Sequence, residues 1–163
     1  LLQLSNTDSD YDIHINTLTI SLVEMDEERF EKIISTNILR IGFEKTMIYI
    51  LFPFLQRIGL MWQTGAINPA QEHFISNLIR QKIIVAIDGQ QNASQHSSTS
   101  FLLFCPEGEL HEIPLLFANY LLRARGFRVI YLGISVPLKD LINVTQIIKP
   151  DFLFASLTSN HGN

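Results

Sequence analysis

The fold is decided by residues 101–156, whose sequence is FLLFCPEGELHEIPLLFANYLLRARGFRVIYLGISVPLKDLINVTQIIKPDFLFAS. Residues 101–105 form a short continuous apolar run, typical of a strand that is covered on both faces. Helical and extended patterns then alternate: helix at 111–125, strand at 128–132, helix at 137–149 and strand at 152–156. This alternation predicts right-handed crossovers and a parallel, Rossmann-like sheet of the α/β class. Three strands make a small sheet, so we expect the domain to continue beyond residue 163.

The residues before this stretch have helical periodicity instead. Residues 1–12 are polar and are predicted to be a loose lead-in. Four segments with apolar residues at helical spacing predict a small bundle, at about 13–23, 27–41, 43–62 and 68–87. Asp26 is the predicted N-cap of the second helix, Pro53 is expected to bend the third, and Asn68-Pro69-Ala70-Gln71 forms a capping box for the fourth. The predicted domains are therefore a helical bundle at 1–88, a linker at 89–99 and an incomplete Rossmann-like domain at 100–163.

The composition excludes some classes of function. Hydrophobic residues make up 47% and charged residues 17%, as in a well-buried globular protein. A net charge of -4 provides no basic surface for a phosphate backbone, so any DNA binding is expected from a segment outside this chain. The single cysteine, Cys105, is interpreted as a small core residue in a reducing cytoplasm. The longest apolar run, 47–55, is about half of the roughly 20 residues that a membrane span needs, so no membrane partner is expected.

A histidine follows the first predicted strand, in the segment Cys105-Pro106-Glu107-Gly108-Glu109-Leu110-His111-Glu112. Ligands of open parallel sheets bind at the carboxyl ends of the strands, and neutral imidazole is a good ligand for transition metals. Glu109 can hold the other ring N–H and so fix the tautomer. Neither GxGxxG nor GxxxxGK[ST] occurs here, which argues against a dinucleotide or P-loop site. On these residues alone, a solvated loop histidine is the commoner explanation.

A second group of candidate residues belongs to the helical bundle. Trp62 lies at the predicted end of the third helix, and Glu72 and His73 lie about one turn into the fourth. A short connection through Gly65 is expected to bring these helix ends side by side. Tryptophan supplies a broad apolar face, and the two polar side chains supply hydrogen bonds. A core tryptophan with exposed polar neighbours is the alternative explanation.

The two groups together carry a resemblance to a known family. W-x9-E-H within WQTGAINPAQEHFISNLIRQK, residues 62–82, resembles the helical cap of CarH/LitR-type cobalamin-dependent regulators of the MerR family. PEGELHEIPLLFANYLLRARGFRVIYLGISVPLKDL, residues 106–141, resembles the start of the cobalamin-binding Rossmann domain that follows the cap. The resemblance covers roughly residues 14–158. It implies that a corrinoid is held between the cap bundle and the Rossmann-like domain.

The resemblance implies a role for each matching position. His111 matches the histidine that replaces dimethylbenzimidazole as the lower axial ligand of cobalt, and Glu109 stands where the pattern D-x-H-x-x-G has aspartate. The remaining matches are implied to contact the cofactor: Trp62, Glu72 and His73 over the upper corrin face, and Ser135, Val136, Pro137 and Ser156 along the slot for the displaced nucleotide tail. The implied cofactor is adenosylcobalamin, with methylcobalamin as the alternative.

Several positions depart from the family pattern. Pro114 occupies the place of the family glycine, where its ring would crowd a passing nucleotide tail. Thr158 replaces the leucine of S-x-L, and a Gly-Gly segment near the end of the family's domain is absent from this chain. Gln63 cannot act as an upper cobalt ligand, as a nearby histidine does in light-sensing relatives. Cobalamin binding is therefore favoured over light sensing.

The resulting hypothesis is a cytoplasmic, non-enzymatic sensor module of a transcriptional regulator. Its expected partners are cobalamin, further copies of the same chain, and DNA through a winged helix-turn-helix segment preceding this chain. The alternatives are a corrinoid carrier subunit for methyl transfer and a cobalamin-independent interaction domain of the same fold. No role is assigned to His14, His96 or His161.

Overall fold

Two groups of elements make up the chain, and a computed structural model describes them over residues 2–90 and 97–158, with side chains from residue 10 onward. The chain divides into two units, Leu1–Ile79 and Arg80–Asn163. This division lies inside the fourth predicted helix, and the predicted boundaries at 88 and 100 stay a prediction. Much of the predicted linker, with His96, lies outside the described residues, as does His161.

Helices account for the first unit, as the apolar periodicity predicts. They are α1 (Leu2–Glu24), α2 (Glu27–Ile41), α3 (Phe43–Thr46), a π-helical segment (Met47–Leu51), α4 (Phe52–Gln63) and α5 (Pro69–Asp88), which continues into the second unit. The largest fully buried side chains of this unit come from all of its long helical runs: Leu18, Leu22, Phe30, Ile34, Met47, Ile50, Leu51, Phe54, Ile75 and Ile79. Predicted and observed helices agree in number once α3, the π segment and α4 are taken as one continuous helical run.

The π-helical segment ends at Leu51, two residues before Pro53, and the bend predicted at this proline stays a prediction. Proline lacks an N–H, and its ring would clash with the carbonyl four residues earlier in a regular α-helix. The Phe52 N–H binds the carbonyl of Met47, five residues back. The widened turn relieves the clash while the helix continues.

The prediction of a loose lead-in is wrong from residue 2 onward, because α1 begins at Leu2. Residues 10 and 11 of this helix contact α2 and the π segment. The ring of Tyr11 stacks on that of Tyr49 with centroids 5.4 Å apart. Asp10 and Arg40 form an ion pair at 3.6 Å. Tertiary contacts of this kind stabilise helices that local sequence preference does not.

Helix ends in this unit follow the predicted capping signals. Asp26 Oδ1 accepts a hydrogen bond from the Arg29 N–H at 2.9 Å. Asn68 and Gln71 form the reciprocal capping box, in which each main-chain N–H donates to the other's side-chain oxygen at 3.0 Å. The second cap fixes the start of α5, which carries Glu72 and His73.

A three-stranded parallel sheet forms the second unit, in the order β2-β1-β3. Its elements are β1 (Ser100–Pro106), α6 (Ile113–Ala124), β2 (Arg128–Val136), α7 (Leu138–Ile148) and β3 (Phe152–Ala155). On one face Leu103 and Cys105 of β1 pack with Leu115 of α6, and on the other Leu102 and Phe104 pack with Leu141 of α7. The predicted α/β architecture is confirmed.

Two details of this unit differ from the predictions. Helix α6 begins at Ile113, so His111 lies in the loop before it. Strand β2 continues to Val136, which places Ser135 and Val136 in its last residues and not in a loop. The pairing of β1 with β2 shifts register twice near this end, and Ser135 has a positive φ of 52°. Extra residues on one strand of a pair bend it and redirect its side chains, which the apolar pattern of β2 does not reveal.

Candidate functional site

Three strand ends meet around His111. The loop after the central strand β1 carries Glu109 and His111, the end of β2 carries Ser135, and Thr158 follows β3. The carboxyl ends of parallel strands share one edge of a sheet, and open α/β sheets bind their ligands there. Ser135 and Thr158 are far from the Glu109–His111 loop in the sequence, but hydrogen bonds connect both of them to this loop.

The imidazole of His111 is held by Glu109 from one side. Glu109 Oε1 lies 2.7 Å from Nδ1 of His111 and accepts the main-chain N–H of the same residue at 2.8 Å. The Glu109 side chain is 10% exposed, whereas that of His111 is 67% exposed. Among the described residues no group forms a hydrogen bond with Nε2 of His111.

Thr158 holds the second carboxylate oxygen of Glu109. Its main-chain N–H and its hydroxyl donate to Oε2 at 2.8 and 2.6 Å, and the hydroxyl oxygen lies 3.0 Å from Nδ1 of His111. The hydrogen bond from the Thr158 hydroxyl, followed by those from the main-chain N–H groups of His111 and Thr158, holds the pKa of Glu109 well below its usual range. Sequence reasoning noted Thr158 only as a departure from S-x-L and missed this contact.

These contacts determine the tautomer of a neutral His111. An ionised carboxylate can only accept hydrogen bonds, so Nδ1 must carry the proton when it lies 2.7 Å from Glu109 Oε1. The Nδ1–H can also reach the hydroxyl oxygen of Thr158, whose own proton is donated to Glu109. The lone pair is then on Nε2. The predicted Glu109–His111 pairing is therefore present.

Ser135 contacts the main chain of the same loop. Its hydroxyl accepts the N–H of Gly108 at 3.1 Å, and its own N–H donates to the carbonyl of Glu109 at 3.2 Å. The other predicted slot residues lie near this edge of the sheet. Val136 is the last residue of β2, Pro137 is the exposed N-cap of α7, and the N–H of Ser156 donates to the carbonyl of Phe104 at 3.2 Å.

The carboxylates around His111 separate into different environments. Glu107 is exposed, whereas Glu112 accepts the hydroxyl of Tyr131 at 2.8 Å and pairs with Arg80. Burial, and next the hydrogen bond to Glu112, raise the pKa of Tyr131 far above its usual range. Burial likewise raises the pKa of the Cys105 thiol, in keeping with a core residue. Glu109 is thus the carboxylate that binds the His111 ring, whereas Glu112 connects the loop to Tyr131 and Arg80.

The candidate residues of the helical unit lie on α4 and α5. Trp62 is next to the last residue of α4 and is 56% exposed. Glu72 lies in the first turn of α5, and its Oε2 is 2.9 Å from Nδ1 of His73, a side chain that is 74% exposed. The structure therefore joins Glu72 and His73 directly and leaves a large aromatic surface open on the preceding helix. Their role in binding stays a prediction.

Comparison with known proteins bears on the helical segment first. Residues 14–86 match a protein-family model described as the B12 binding domain. The chain is also 32% identical to the HTH-type transcriptional repressor CarH of Myxococcus xanthus over 111 residues, and 32% identical to the repressor CarA of the same organism over 106 residues. These alignments cover 68% and 65% of this chain, and they confirm the resemblance inferred from its motifs.

The chain spans 36% of the length of CarH and 34% of the length of CarA. Among solved structures it is similar to a cobalamin-binding protein of Desulfitobacterium hafniense DCB-2, at 19% identity and a TM-score of 0.40, covering 90% of this chain and 69% of that one. It is also similar to the methanol:cobalamin methyltransferase complex MtaBC of Methanosarcina barkeri, at 19% identity and a TM-score of 0.45, covering 91% and 58%. Because both TM-scores are below 0.5, the fold class of this chain is argued from its own strand order and not from these two structures.

Within residues 2–90 and 97–158, no helix is both long enough and apolar enough to cross a membrane. Nor do three or more His, Cys, Asp or Glu side chains in these ranges converge as they would around a bare metal ion.

Proposed function

We propose that this chain is the cobalamin-binding sensor module of a MerR-family transcriptional regulator and is not itself an enzyme. The observation that supports it most is the arrangement of His111 at the ligand edge of the sheet, where Glu109 binds its Nδ1 and its side chain is 67% exposed. Its B12 binding domain and its similarity to two HTH-type repressors support the same proposal.

The residues around His111 fit a corrinoid. Cobalt ligation requires a neutral imidazole nitrogen with a free lone pair, and a carboxylate on the other nitrogen fixes the ring and increases its basicity. A bound corrinoid would supply the cobalt, and Nε2 of His111 would be its ligand from the protein. Adenosylcobalamin is the proposed form, with methylcobalamin as the alternative. Pro114 is tolerated by the fold as the second residue of α6, because the first turn of a helix needs no N–H at that place.

The helical unit is proposed to contact the same cofactor through Trp62, Glu72 and His73. The exposed indole offers a flat apolar surface for the upper side of the ligand, and the Glu72–His73 pair offers hydrogen-bonding groups. A ligand bound by residues of both units favours the arrangement to which it binds more tightly. That arrangement would set the oligomeric state and, through a segment outside this chain, operator affinity.

Absorption spectroscopy with adenosylcobalamin tests the proposal. The parent protein is expected to give the base-off, histidine-ligated spectrum, and His111→Ala is expected to lose it. His96→Ala, at a histidine to which no role is assigned, is the control and is expected to behave as the parent. A free-cobalamin spectrum with the parent protein would overturn the proposal. Sizing of the same samples, in darkness and after illumination, tests the link to oligomeric state and to light.

A further inference from the structure

We propose that Ser135 is a positioning residue for His111, which acts through the main chain of residues 108–109. This role differs from the ligand contact that the sequence predicts for Ser135. Its effect on cofactor affinity rests on the proposed function. Its effect on the His111 loop is a property of the ligand-free protein and can be measured there.

Two hydrogen bonds connect Ser135 to the loop. The N–H of Gly108 donates to the Ser135 hydroxyl, and the Ser135 N–H donates to the carbonyl of Glu109, at 3.1 and 3.2 Å. The donor and the acceptor are the two ends of the Gly108–Glu109 segment. Ser135 therefore fixes the main chain of Glu109, whereas Thr158 fixes its carboxylate. With both held, the carboxylate oxygen that bonds Nδ1 of His111 has a defined position.

The backbone of β2 is distorted at the residue that makes these contacts. The register of β1 and β2 shifts between Phe104 and Pro106, so β2 contributes an extra residue opposite this part of β1. Ser135 has φ of 52°, in the left-handed region that residues with a Cβ seldom occupy. Backbone strain of this kind persists where the surrounding contacts impose it. Here the contacts in question are those with the His111 loop.

Serine and glycine at position 135 would differ in backbone strain and in hydrogen bonding. Glycine adopts a positive φ without strain, as Gly133 does two residues earlier with φ of 83°. Only the serine supplies a hydroxyl to the Gly108 N–H. The strained conformation and the hydroxyl contact can therefore be separated by two substitutions. Ser135→Ala removes the hydroxyl and keeps the strain, whereas Ser135→Gly removes both.

Three measurements on these variants test the proposal. Hydrogen exchange at the Gly108 amide of the ligand-free protein is expected to accelerate about fivefold in both variants, as for the loss of one hydrogen bond. The Kd for adenosylcobalamin, followed by the histidine-ligated spectrum, is expected to rise about tenfold in both, the lower end of what outer-sphere substitutions cause at metal sites. In urea, Ser135→Gly is expected to unfold at a higher midpoint than Ser135→Ala, because only glycine relieves the strain.

Affinity and stability are thus expected to change independently, which a purely structural role would not produce. Thr145→Ala is the control, since it removes a hydroxyl that bonds the carbonyl of Ile142 within α7, and it is expected to leave Gly108 exchange and the Kd unchanged. The proposal is overturned if both serine variants keep the parent's Gly108 exchange rate, or if Ser135→Gly keeps the parent's Kd. If the parent itself gives no histidine-ligated spectrum, the proposed function fails, and Gly108 exchange still decides whether Ser135 holds the loop.

Discussion

Glu109→Gln changes the site with the least change of shape, so its effect can be worked out from the contacts. The carboxylate of Glu109 accepts four hydrogen bonds, two from His111 and two from Thr158. A glutamine amide has one oxygen and one NH2 group, so it can accept at only one of these two sides. Two accepted hydrogen bonds are lost, each with a net value of about 1 kcal/mol near the surface. We expect the free energy of unfolding to fall by about 2 kcal/mol.

Urea unfolding followed by circular dichroism measures this loss. Glu107→Gln is the matched control, because Glu107 lies on the same loop and is exposed. The pH dependence adds a second test. Hydrogen bonds lower the pKa of Glu109 in the folded protein, so its contribution to stability is present above the pKa of an unfolded glutamate, about 4.3, and is lost as the pH falls further. The difference between parent and Glu109→Gln is expected to narrow below about pH 4.3.

The same substitution tests the coupling of Glu109 to the histidine. A glutamine has no negative charge with which to favour the Nδ1–H tautomer, so nitrogen-15 spectra of the ligand-free protein are expected to show more of the Nε2–H form. The Kd for adenosylcobalamin is expected to rise about 10- to 100-fold. Equal stability of Glu109→Gln and Glu107→Gln, with an unchanged tautomer, would refute the reasoning from these four hydrogen bonds.

Two further substitutions test single contacts. Thr158→Val keeps the shape and the main-chain N–H but removes the hydroxyl that bonds Glu109. It is expected to lower the free energy of unfolding, measured in urea, by about 1 kcal/mol and to raise the share of the Nε2–H tautomer of His111. Thr158→Ser keeps the hydroxyl, so its stability and its tautomer ratio are expected to equal those of the parent. Asn68→Ala removes the N-cap of α5 and is expected to destabilise the helical unit by about 1 kcal/mol, measured by the urea midpoint. A neutral effect of Thr158→Val, or an Asn68→Ala variant as stable as the parent, would contradict the respective contact.

Much of the fold could be predicted because its signals are local. The periodicity of apolar residues predicted the order of the strands and helices of the second unit, and capping residues predicted the start of α5 at Pro69. The predictions were wrong where tertiary contacts, and not local sequence, determine the secondary structure. The first turns of α1 are polar, and their helical state accompanies contacts such as the Tyr11–Tyr49 stack. The extension of β2 to Val136 includes two register shifts, and these cannot be predicted from the pattern of apolar residues in the strand.

In the candidate site, too, local contacts could be predicted from the sequence and long-range contacts could not. The pairing of Glu109 with His111 was predictable, because a carboxylate two residues from an imidazole in the same loop is within reach of one of its ring nitrogens. The contact of Thr158 with Glu109 joins residues 49 positions apart, and that of Ser135 with Gly108 joins residues 27 apart. One clue was nevertheless present in the sequence. In a parallel sheet, residues that follow different strands meet at one edge, so any polar residue after β3 was a candidate neighbour of His111.

The hydrogen bonds of Thr158 also have a consequence for biosynthesis. The ribosome adds His111 to the growing chain 47 residues before it adds Thr158. Until β3 has emerged and paired with β1, the histidine has its nearby glutamate but lacks the threonine that restrains this glutamate. The four hydrogen bonds to the Glu109 carboxylate can therefore be complete only after β3 and Thr158 have been made. A nascent chain that stalls within α7 carries the complete His111 loop without the restraint from β3.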